Sequence, residues 1–144
     1  MDQFFEEGLP NLVGMQSRED QGGFVVGAMA AALSQSGTIG GVYGINVPAV
    51  VKFRNGYEQG ACYVNPEIQS LGAYTDAFDD PDQGQAVAEA IVGQGADVIF
   101  GAGGGTGSGA IAWAAQQGIF VIGVDQDEYF TTFGGGTSPA RSSW

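Results

Sequence analysis

The stretch that decides the fold is GADVIFGAGGGTGSGAIAWAAQQGIFVIGVDQD, which runs from Gly95 to Asp127. It predicts a strand at Asp97–Phe100, a helix at Gly107–Gln117 and a second strand at Ile119–Val124, with a glycine-rich loop before the helix. Both predicted strands are nearly continuous apolar runs, as in sheets that helices cover on both faces. The order of strand, helix and strand is typical of a parallel sheet.

The same alternation of short apolar runs and helical periods extends towards the amino terminus. The predicted helix Pro81–Gly93 has clear ends. Asp80 precedes a proline at its first position, and Gly93 and Gly95 provide a stop. We therefore predict an α/β fold, a doubly wound parallel sheet with helices on both faces. The additional strands are predicted at Leu12–Met15, Thr38–Tyr43 and Glu67–Tyr74, and the additional helices at Gly22–Ser34, Pro48–Cys62 and Pro81–Gly93.

The composition excludes several classes of function. The 144 residues carry a formal net charge of −12, with 4 basic residues and no histidine. This charge repels phosphate backbones, so nucleic acid is not an expected partner. The missing histidine excludes histidine triads and zinc-histidine sites, and it makes most hydrolase chemistry unexpected. Cys62 stands alone, and we predict that it is a small buried hydrophobic residue.

The loops that follow the predicted strands hold the candidate site, because ligands bind outside the carboxyl ends of the strands in open α/β sheets. The loop Gly101–Gly109 contains six glycines, more than a tight turn needs. We interpret its backbone, with Gly103, Gly104 and Thr106, as a surface that a ligand approaches closely. Asp125 ends the last predicted strand, and its carboxylate either accepts hydrogen bonds from ligand hydroxyl groups or is an exposed turn residue.

Two further side chains occupy loops that follow predicted strands. Phe78 lies between acidic residues, where its ring either stacks on a flat ligand or packs as a hydrophobic staple on the helix that Pro81 begins. Asn46 either hydrogen-bonds a ligand or caps the helix that Pro48 opens, and the cap is the favoured interpretation. A carboxylate, an aromatic ring and bare backbone at one sheet edge would suit an uncharged, flat molecule that bears hydroxyl groups.

The glycine loop resembles two nucleotide-binding signatures. Gly103–Gly109 is similar to the GTP-binding loop of tubulin and its bacterial relatives, which makes a GTP-binding protein the alternative function. Gly105–Ala110 also fits the weak dinucleotide pattern GxGxxA. The other nucleotide-binding loops of the tubulin family have no visible counterpart here, and Asp125 would repel a triphosphate.

A longer series of matches resembles the basic membrane protein family, the purine nucleoside receptor group of type I periplasmic-binding-protein-like lipoproteins. The resemblance extends over roughly Pro10 to Arg141. So many matches in one order outweigh the single loop shared with tubulin. They are Arg18–Gly27, Val47–Tyr57, Tyr63–Pro66, Ala77–Pro81, Gly95–Phe100, the glycine loop and Ile122–Asp127.

The resemblance implies the solute-binding component of an ABC-type importer, which binds a nucleoside between two lobes, with a purine as the first expectation. It implies a binding protein that is not an enzyme and uses no metal or cofactor. It makes Phe78 a stacking ring for the base, Gly104 a backbone contact and Asp125 the acceptor for ribose hydroxyl groups. Thr137–Arg141 is similar to a later Thr-Ser-x-x-Lys segment of the family. Arg141 would then be the counterpart of a ligand-contacting lysine, although the two side chains are not interchangeable.

The resemblance also implies a domain organisation and a location. Residues 17–127 would form the ligand-binding second lobe, residues 1–16 the end of a first lobe or a hinge crossing, and residues 128–144 a truncated hinge return. Because the family's first lobe has no counterpart in this sequence, we expect a partial chain. The implied partners are a nucleoside and the transporter permease. The implied location is extracytoplasmic, either periplasmic or on the outer face of the cytoplasmic membrane through a lipid anchor outside this segment.

Overall fold

The computed structural model describes residue 8 and residues 10–136. Its four strands are all parallel and lie in the order β2-β1-β3-β4, so the predicted α/β fold is confirmed. The elements are α1 (Glu19–Leu33), β1 (Thr38–Tyr43), α2 (Pro48–Val64), β2 (Gln69–Tyr74), α3 (Pro81–Val92), β3 (Val98–Ala102), α4 (Gly104–Gln116), β4 (Phe120–Ile122), α5 (Glu128–Thr131) and a 3-10 turn at Gly134–Gly136.

Helices cover both faces of the sheet, as the apolar strands predict. α1 and α2 cover one face, where the rings of Tyr57 and Phe100 stack with their centroids 5.2 Å apart. α3 and α4 cover the other face, where Val42, Ile99 and Ile111 are buried. Two separate apolar layers therefore cover the faces of the sheet. The loops lie at the ends of its strands, outside both layers.

α1 and α2 pack so closely that their backbones touch. A Cβ atom on Gly27 would lie 1.9 Å from the Tyr57 carbonyl oxygen, and one on Gly60 would lie 1.9 Å from the Phe24 carbonyl oxygen. No other residue fits at these two positions. The Tyr57 hydroxyl donates a hydrogen bond of 3.1 Å to the Gly40 carbonyl oxygen, and burial raises the pKa of this phenol. The helix pair is thereby fixed to the centre of β1.

At the amino ends of the strands, Asp97 holds the loop between α1 and β1. Its carboxylate accepts hydrogen bonds from the Ser34 hydroxyl at 2.6 Å and from the N–H groups of Gln35 at 2.6 Å and Ser36 at 2.8 Å. Partial burial alone would raise the pKa of Asp97, but these hydrogen bonds outweigh it and lower the pKa below its ordinary value. The ionised side chain therefore stabilises the fold.

Two predictions from the sequence, one of a strand and one of a buried side chain, are wrong. Leu12–Met15 is not a strand, because residues 12–18 are irregular and Val13 is 87% exposed, outside both apolar layers. Cys62 is exposed rather than buried. The buried face of α2 includes Tyr57 and Ala61, four residues apart, and Cys62 lies one residue beyond that stripe.

The remaining predicted elements are present, and β1 has the predicted bounds. α4 begins at Gly104 instead of Gly107, so half of the glycine loop forms the first turn of the helix. α5 is not predicted by the sequence, and Asp127 caps it by accepting a hydrogen bond of 3.1 Å from the Tyr129 N–H group. Within the described part of the chain, no helix combines the length and apolar surface that a membrane span requires.

Candidate ligand site at the carboxyl ends of the strands

The candidate site lies where the strand order reverses. β1 pairs with β2 on one side and with β3 on the other, so the connections after β1 and β3 leave in opposite directions and border a crevice. The Gly44 N–H group, directly after β1, donates a hydrogen bond of 3.1 Å to the Ala102 carbonyl oxygen at the end of β3. A Cβ atom on Gly103 would lie 2.7 Å from the Gly44 nitrogen. The two loops are therefore in backbone contact.

Phe78 reaches this contact from the loop after β2. Thr75 begins that loop, and its N–H group and hydroxyl each lie 2.9 Å from the Tyr43 carbonyl oxygen at the end of β1. The Phe78 ring lies over Gly44, because a Cβ atom there would be 2.3 Å from Phe78 Cε1. Phe78 is 39% exposed. Its ring thus forms a half-exposed aromatic surface beside the glycine loop.

The alternative role of Phe78, a hydrophobic staple on α3, lacks a partner. Asp80 is the N-cap of α3, where its carboxylate accepts a hydrogen bond of 2.9 Å from the Gln83 N–H group, and Pro81 follows as predicted. The residue that a staple would contact, four positions after the cap, is Gly84, which has no side chain. The ring instead contacts the Gly44 loop.

Close backbone packing explains why several positions of the glycine loop are glycine. Gly104 has a φ of +56°, and a Cβ atom on it would lie 2.8 Å from the Phe78 carbonyl oxygen. A Cβ atom on Gly109 would lie 2.4 Å from the Pro81 carbonyl oxygen at the start of α3. The number of glycines alone is therefore a weaker sign of binding than the sequence suggests. Gly104 and Gly105 are exposed, and their backbone is the accessible part of the loop.

Thr106 ties the glycine loop to the Phe78 loop from inside. The side chain is completely buried, and its hydroxyl donates to the Ala77 carbonyl oxygen at 3.1 Å and accepts from the Asp80 N–H group at 3.0 Å. The Thr106 N–H group donates to the Phe78 carbonyl oxygen at 3.3 Å. Both polar protons of Thr106 are thus used within the protein, and the residue positions the Phe78 loop.

Asn46 is not the cap that the sequence predicts. The N-cap of α2 is Val47, because Pro48 occupies the first turn directly after it. Asn46 is exposed in the loop after β1, and its side chain forms no hydrogen bond within residues 10–136. The cap interpretation is therefore wrong, and a ligand contact of Asn46 stays a prediction.

Asp125 lies in the turn after β4, the neighbour of β3 in the sheet. It is exposed and has a φ of +66°, which is uncommon for a residue with a side chain. The sequence did not single out Glu128, whose buried carboxylate anchors this turn. It accepts hydrogen bonds from Ser108 Oγ at 2.9 Å and from Gln126 Nε2 at 3.3 Å. Because Ser108 belongs to α4, the Asp125 turn is attached to the helix that the glycine loop begins.

The structure brings most of the predicted site residues to one edge of the sheet. Gly103 contacts Gly44, and Gly104 and the Phe78 loop are in backbone contact. Asn46 shares the Gly44 loop, and Asp125 follows the adjacent strand β4. Arg141 lies outside the described residues.

This edge is acidic. Among the described residues, the loops after the four strands carry no lysine or arginine. Lys52, on α2, pairs with Glu19 at 3.4 Å. Such an edge repels anionic ligands. Among residues 10–136, no group of side chains could hold a metal ion. The exposed carboxylates of these loops belong to Asp76, Asp79, Asp80, Asp125 and Asp127.

Residues 2–134 match the model of the family Bmp, described as ABC transporter substrate-binding protein PnrA-like. The chain belongs to this family. Basic membrane protein A of Borreliella afzelii is 40% identical over 130 residues, which are 88% of this chain and 40% of that protein. The chain thus spans about 40% of the length of the curated relatives that it matches first.

Solved structures of ABC transporter solute-binding proteins are similar to this chain. An ABC transporter solute-binding protein from Aeropyrum pernix K1 has a TM-score of 0.75 at 29% identity, covering 90% of this chain and 40% of that one. A second solute-binding protein, from Conexibacter woesei, has a TM-score of 0.66 at 26% identity, covering 87% of this chain and 37% of that one. The Bmp family consists of substrate-binding proteins and not of enzymes. The predicted family is confirmed, and the tubulin-like alternative gains no support.

Proposed function

We infer that this chain forms one lobe of a two-lobed, extracytoplasmic binding protein that captures a nucleoside and delivers it to an ABC-type permease. Membership of the Bmp family supports the transport role. The observation that carries the ligand class is the half-exposed Phe78 ring above Gly44, beside the exposed backbone at Gly104. An aromatic ring next to bare backbone suits a flat base, with a purine as the first expectation.

The Phe78 ring, the Asp125 carboxylate and the acidic loops would each recognise a different property of a nucleoside. Stacking of a base on an aromatic ring such as Phe78 is worth about 1–3 kcal/mol. A hydroxyl that donates to a carboxylate such as Asp125 contributes about 1.5–3 kcal/mol, which suits the vicinal hydroxyl groups of ribose. The acidic loops add selectivity, because they disfavour a phosphorylated form of the same molecule.

The second wall of the site would come from another lobe. In this proposal residues 17–127 are the lobe described above, and residues 1–16 and 128–144 lead to the hinge. Closure of two lobes buries the ligand, so one lobe alone should bind weakly. Asn46 and Arg141 are proposed as further polar contacts. A lipid anchor outside this segment would hold the protein at the outer face of the cytoplasmic membrane.

Isothermal titration of the full-length protein tests the proposal. We expect heat of binding with adenosine, guanosine or inosine, weaker binding of cytidine, and no binding of the matching nucleoside monophosphates. GTP serves as a second control, because a tubulin-like protein would bind and hydrolyse it. Absence of heat with every nucleoside would refute the nucleoside assignment and leave the transport role to be tested with other uncharged solutes.

A further inference from the structure

Glu128 is a buried carboxylate at the candidate site for which the ligand scheme above has no use. It is 9% exposed, although it begins the short helix α5 at the protein surface. Four side chains converge on its two oxygens. Ser108 and Gln126 donate to Oε1 at 2.9 and 3.3 Å, Thr131 donates to Oε2 at 3.5 Å, and Thr132 also donates to Oε2.

The position of Glu128 depends on a glycine at the end of β4. A Cβ atom on Gly123 would lie 2.3 Å from Glu128 Cγ, so the Glu128 side chain passes directly over the backbone there. Two tight turns lie between these residues, with the Gln126 N–H group 2.8 Å from the Val124 carbonyl oxygen and the Glu128 N–H group 3.0 Å from the Gln126 carbonyl oxygen. Asp125 is the central residue of the first turn. Glu128 therefore contacts the segment on both sides of Asp125, through its side chain over Gly123 and through the hydrogen bond from the Gln126 side chain.

We propose that Glu128 is the positioning residue for Asp125, which it fixes relative to the glycine loop. The link is the Ser108 hydroxyl, one helical turn after Gly104, whose carbonyl oxygen lies 3.2 Å from the same hydroxyl. The inference rests on the proposed function, in which Asp125 and the Gly104 backbone contact one ligand. It assigns Glu128 no contact with that ligand.

A carboxylate suits this position better than an amide. The donors that surround Glu128 are hydroxyl groups and an amide, and an ionised carboxylate has about four acceptor sites for them and no proton of its own. In Glu128→Gln, one oxygen becomes an NH₂ group, which faces either the threonine hydroxyl groups or the Ser108 hydroxyl. The substitution keeps the size of the side chain and loses acceptors on the threonine side or the Ser108 side.

A double-mutant cycle in the full-length protein tests the positioning role. We expect Glu128→Ala to weaken adenosine binding about tenfold and Glu128→Gln to weaken it less. In the background of Asp125→Ala, we expect Glu128→Ala to cost less than about twofold, because Glu128 acts through Asp125. Equal losses in both backgrounds would overturn the proposal.

Asp97→Asn is the matched control, because it loosens a loop at the opposite end of the sheet. It should lower stability and leave adenosine affinity within about twofold of wild type. If Glu128→Ala fails to fold, Ser108→Ala removes only the link to α4 and replaces it in the cycle. Here too, additive losses with Asp125→Ala would contradict the inference.

Amide hydrogen exchange separates this inference from the proposed function. If the wild type binds no nucleoside, the ligand assignment fails, yet the positioning of the turn is still measurable. Glu128→Ala should then accelerate exchange at residues 124–127 by at least about tenfold, with exchange at residues 34–37 unchanged. Unchanged exchange at residues 124–127 would show that Glu128 does not hold the turn.

Discussion

Asp97 and Glu128 perform the same operation at opposite ends of the sheet. Each carboxylate accepts hydrogen bonds from several groups and ties a loop to the neighbouring element. At the amino ends, Asp97 holds a loop that carries no candidate ligand contact. At the carboxyl ends, Glu128 holds the turn that carries Asp125, and it is more deeply buried. A hydrogen-bonded carboxylate therefore stabilises the fold at the amino edge. At the carboxyl edge, in our proposal, the same arrangement also fixes the geometry of the candidate site.

The two edges should differ most in how much stability is lost when a glycine is replaced by alanine. Gly103→Ala places a Cβ atom 2.7 Å from the Gly44 nitrogen, whereas Gly37, at the amino edge with a φ of +74°, has nothing within 4 Å of such an atom. Gly103→Ala should lower the free energy of unfolding by about 3 kcal/mol through overpacking, and Gly37→Ala by about 1 kcal/mol through backbone strain. Urea denaturation measures both, and equal losses would contradict the close contact of the two loops.

Truncation of the candidate ligand contacts should affect binding without affecting stability. Phe78→Ala removes the proposed stacking ring and Asp125→Ala the proposed ribose acceptor, and each should weaken nucleoside binding by about 1–3 kcal/mol. Thermal unfolding should change little, since both residues are exposed. Titration calorimetry checks the affinity. An unchanged affinity in one variant would remove that residue from the site.

Asp97→Asn should have the opposite profile. An amide keeps one acceptor and loses the charge that strengthens the hydrogen bonds from Ser34, Gln35 and Ser36, so the free energy of unfolding should fall by about 1–2 kcal/mol. Nucleoside affinity should equal that of the wild type. A loss of affinity in this variant would mean that the two edges are coupled through the sheet.

The effect of Asp97 should also depend on pH. Its hydrogen bonds lower its pKa below the ordinary value of 3.8, so the ionised side chain favours the folded state. This contribution is fully present above that ordinary pKa and is lost as the pH falls through the lower pKa of the folded state. The difference in free energy of unfolding between wild type and Asp97→Asn should therefore shrink as the pH falls below 3.8. A difference that stays constant down to pH 2 would contradict this origin.

The sequence predicts the sheet well because burial on both faces leaves a strong pattern. β1 has the predicted bounds, and Asp80 and Pro81 mark the start of α3. Predictions failed where a tertiary contact determines the local structure. α4 begins at Gly104, although glycine disfavours helices, because the loop packs against the Phe78 backbone. The apolar run Leu12–Met15 has no strand beside it and remains irregular.

The sequence predicts which loops carry the candidate site residues. It does not predict the side-chain hydrogen bonds that join these loops. Loop positions after strands are readable from the order of elements, so the sequence predicts that the loops of Phe78, Gly104 and Asp125 share one edge of the sheet, and the structure places them there. The burial of Thr106 depends on the Phe78 loop, which is distant in sequence, and Glu128 is linked to Ser108 of α4, so neither role leaves a periodic signal. Two corrections were accessible in the sequence itself, since Pro48 in the first helical turn makes its predecessor Val47 the cap, and the period of α2 excludes Cys62 from its buried stripe.

The exposed thiol of Cys62 offers a reporter attachment point. It is the sole cysteine in the sequence and lies in the last turn of α2, whereas the helix begins beside the candidate site at Pro48. A helix rises 1.5 Å per residue, so a dye at Cys62 would lie roughly 20 Å from the ligand. Because the backbone contact at Gly27 and Gly60 holds α2 firmly against α1, such a dye would follow movements of the whole lobe instead of local fluctuation.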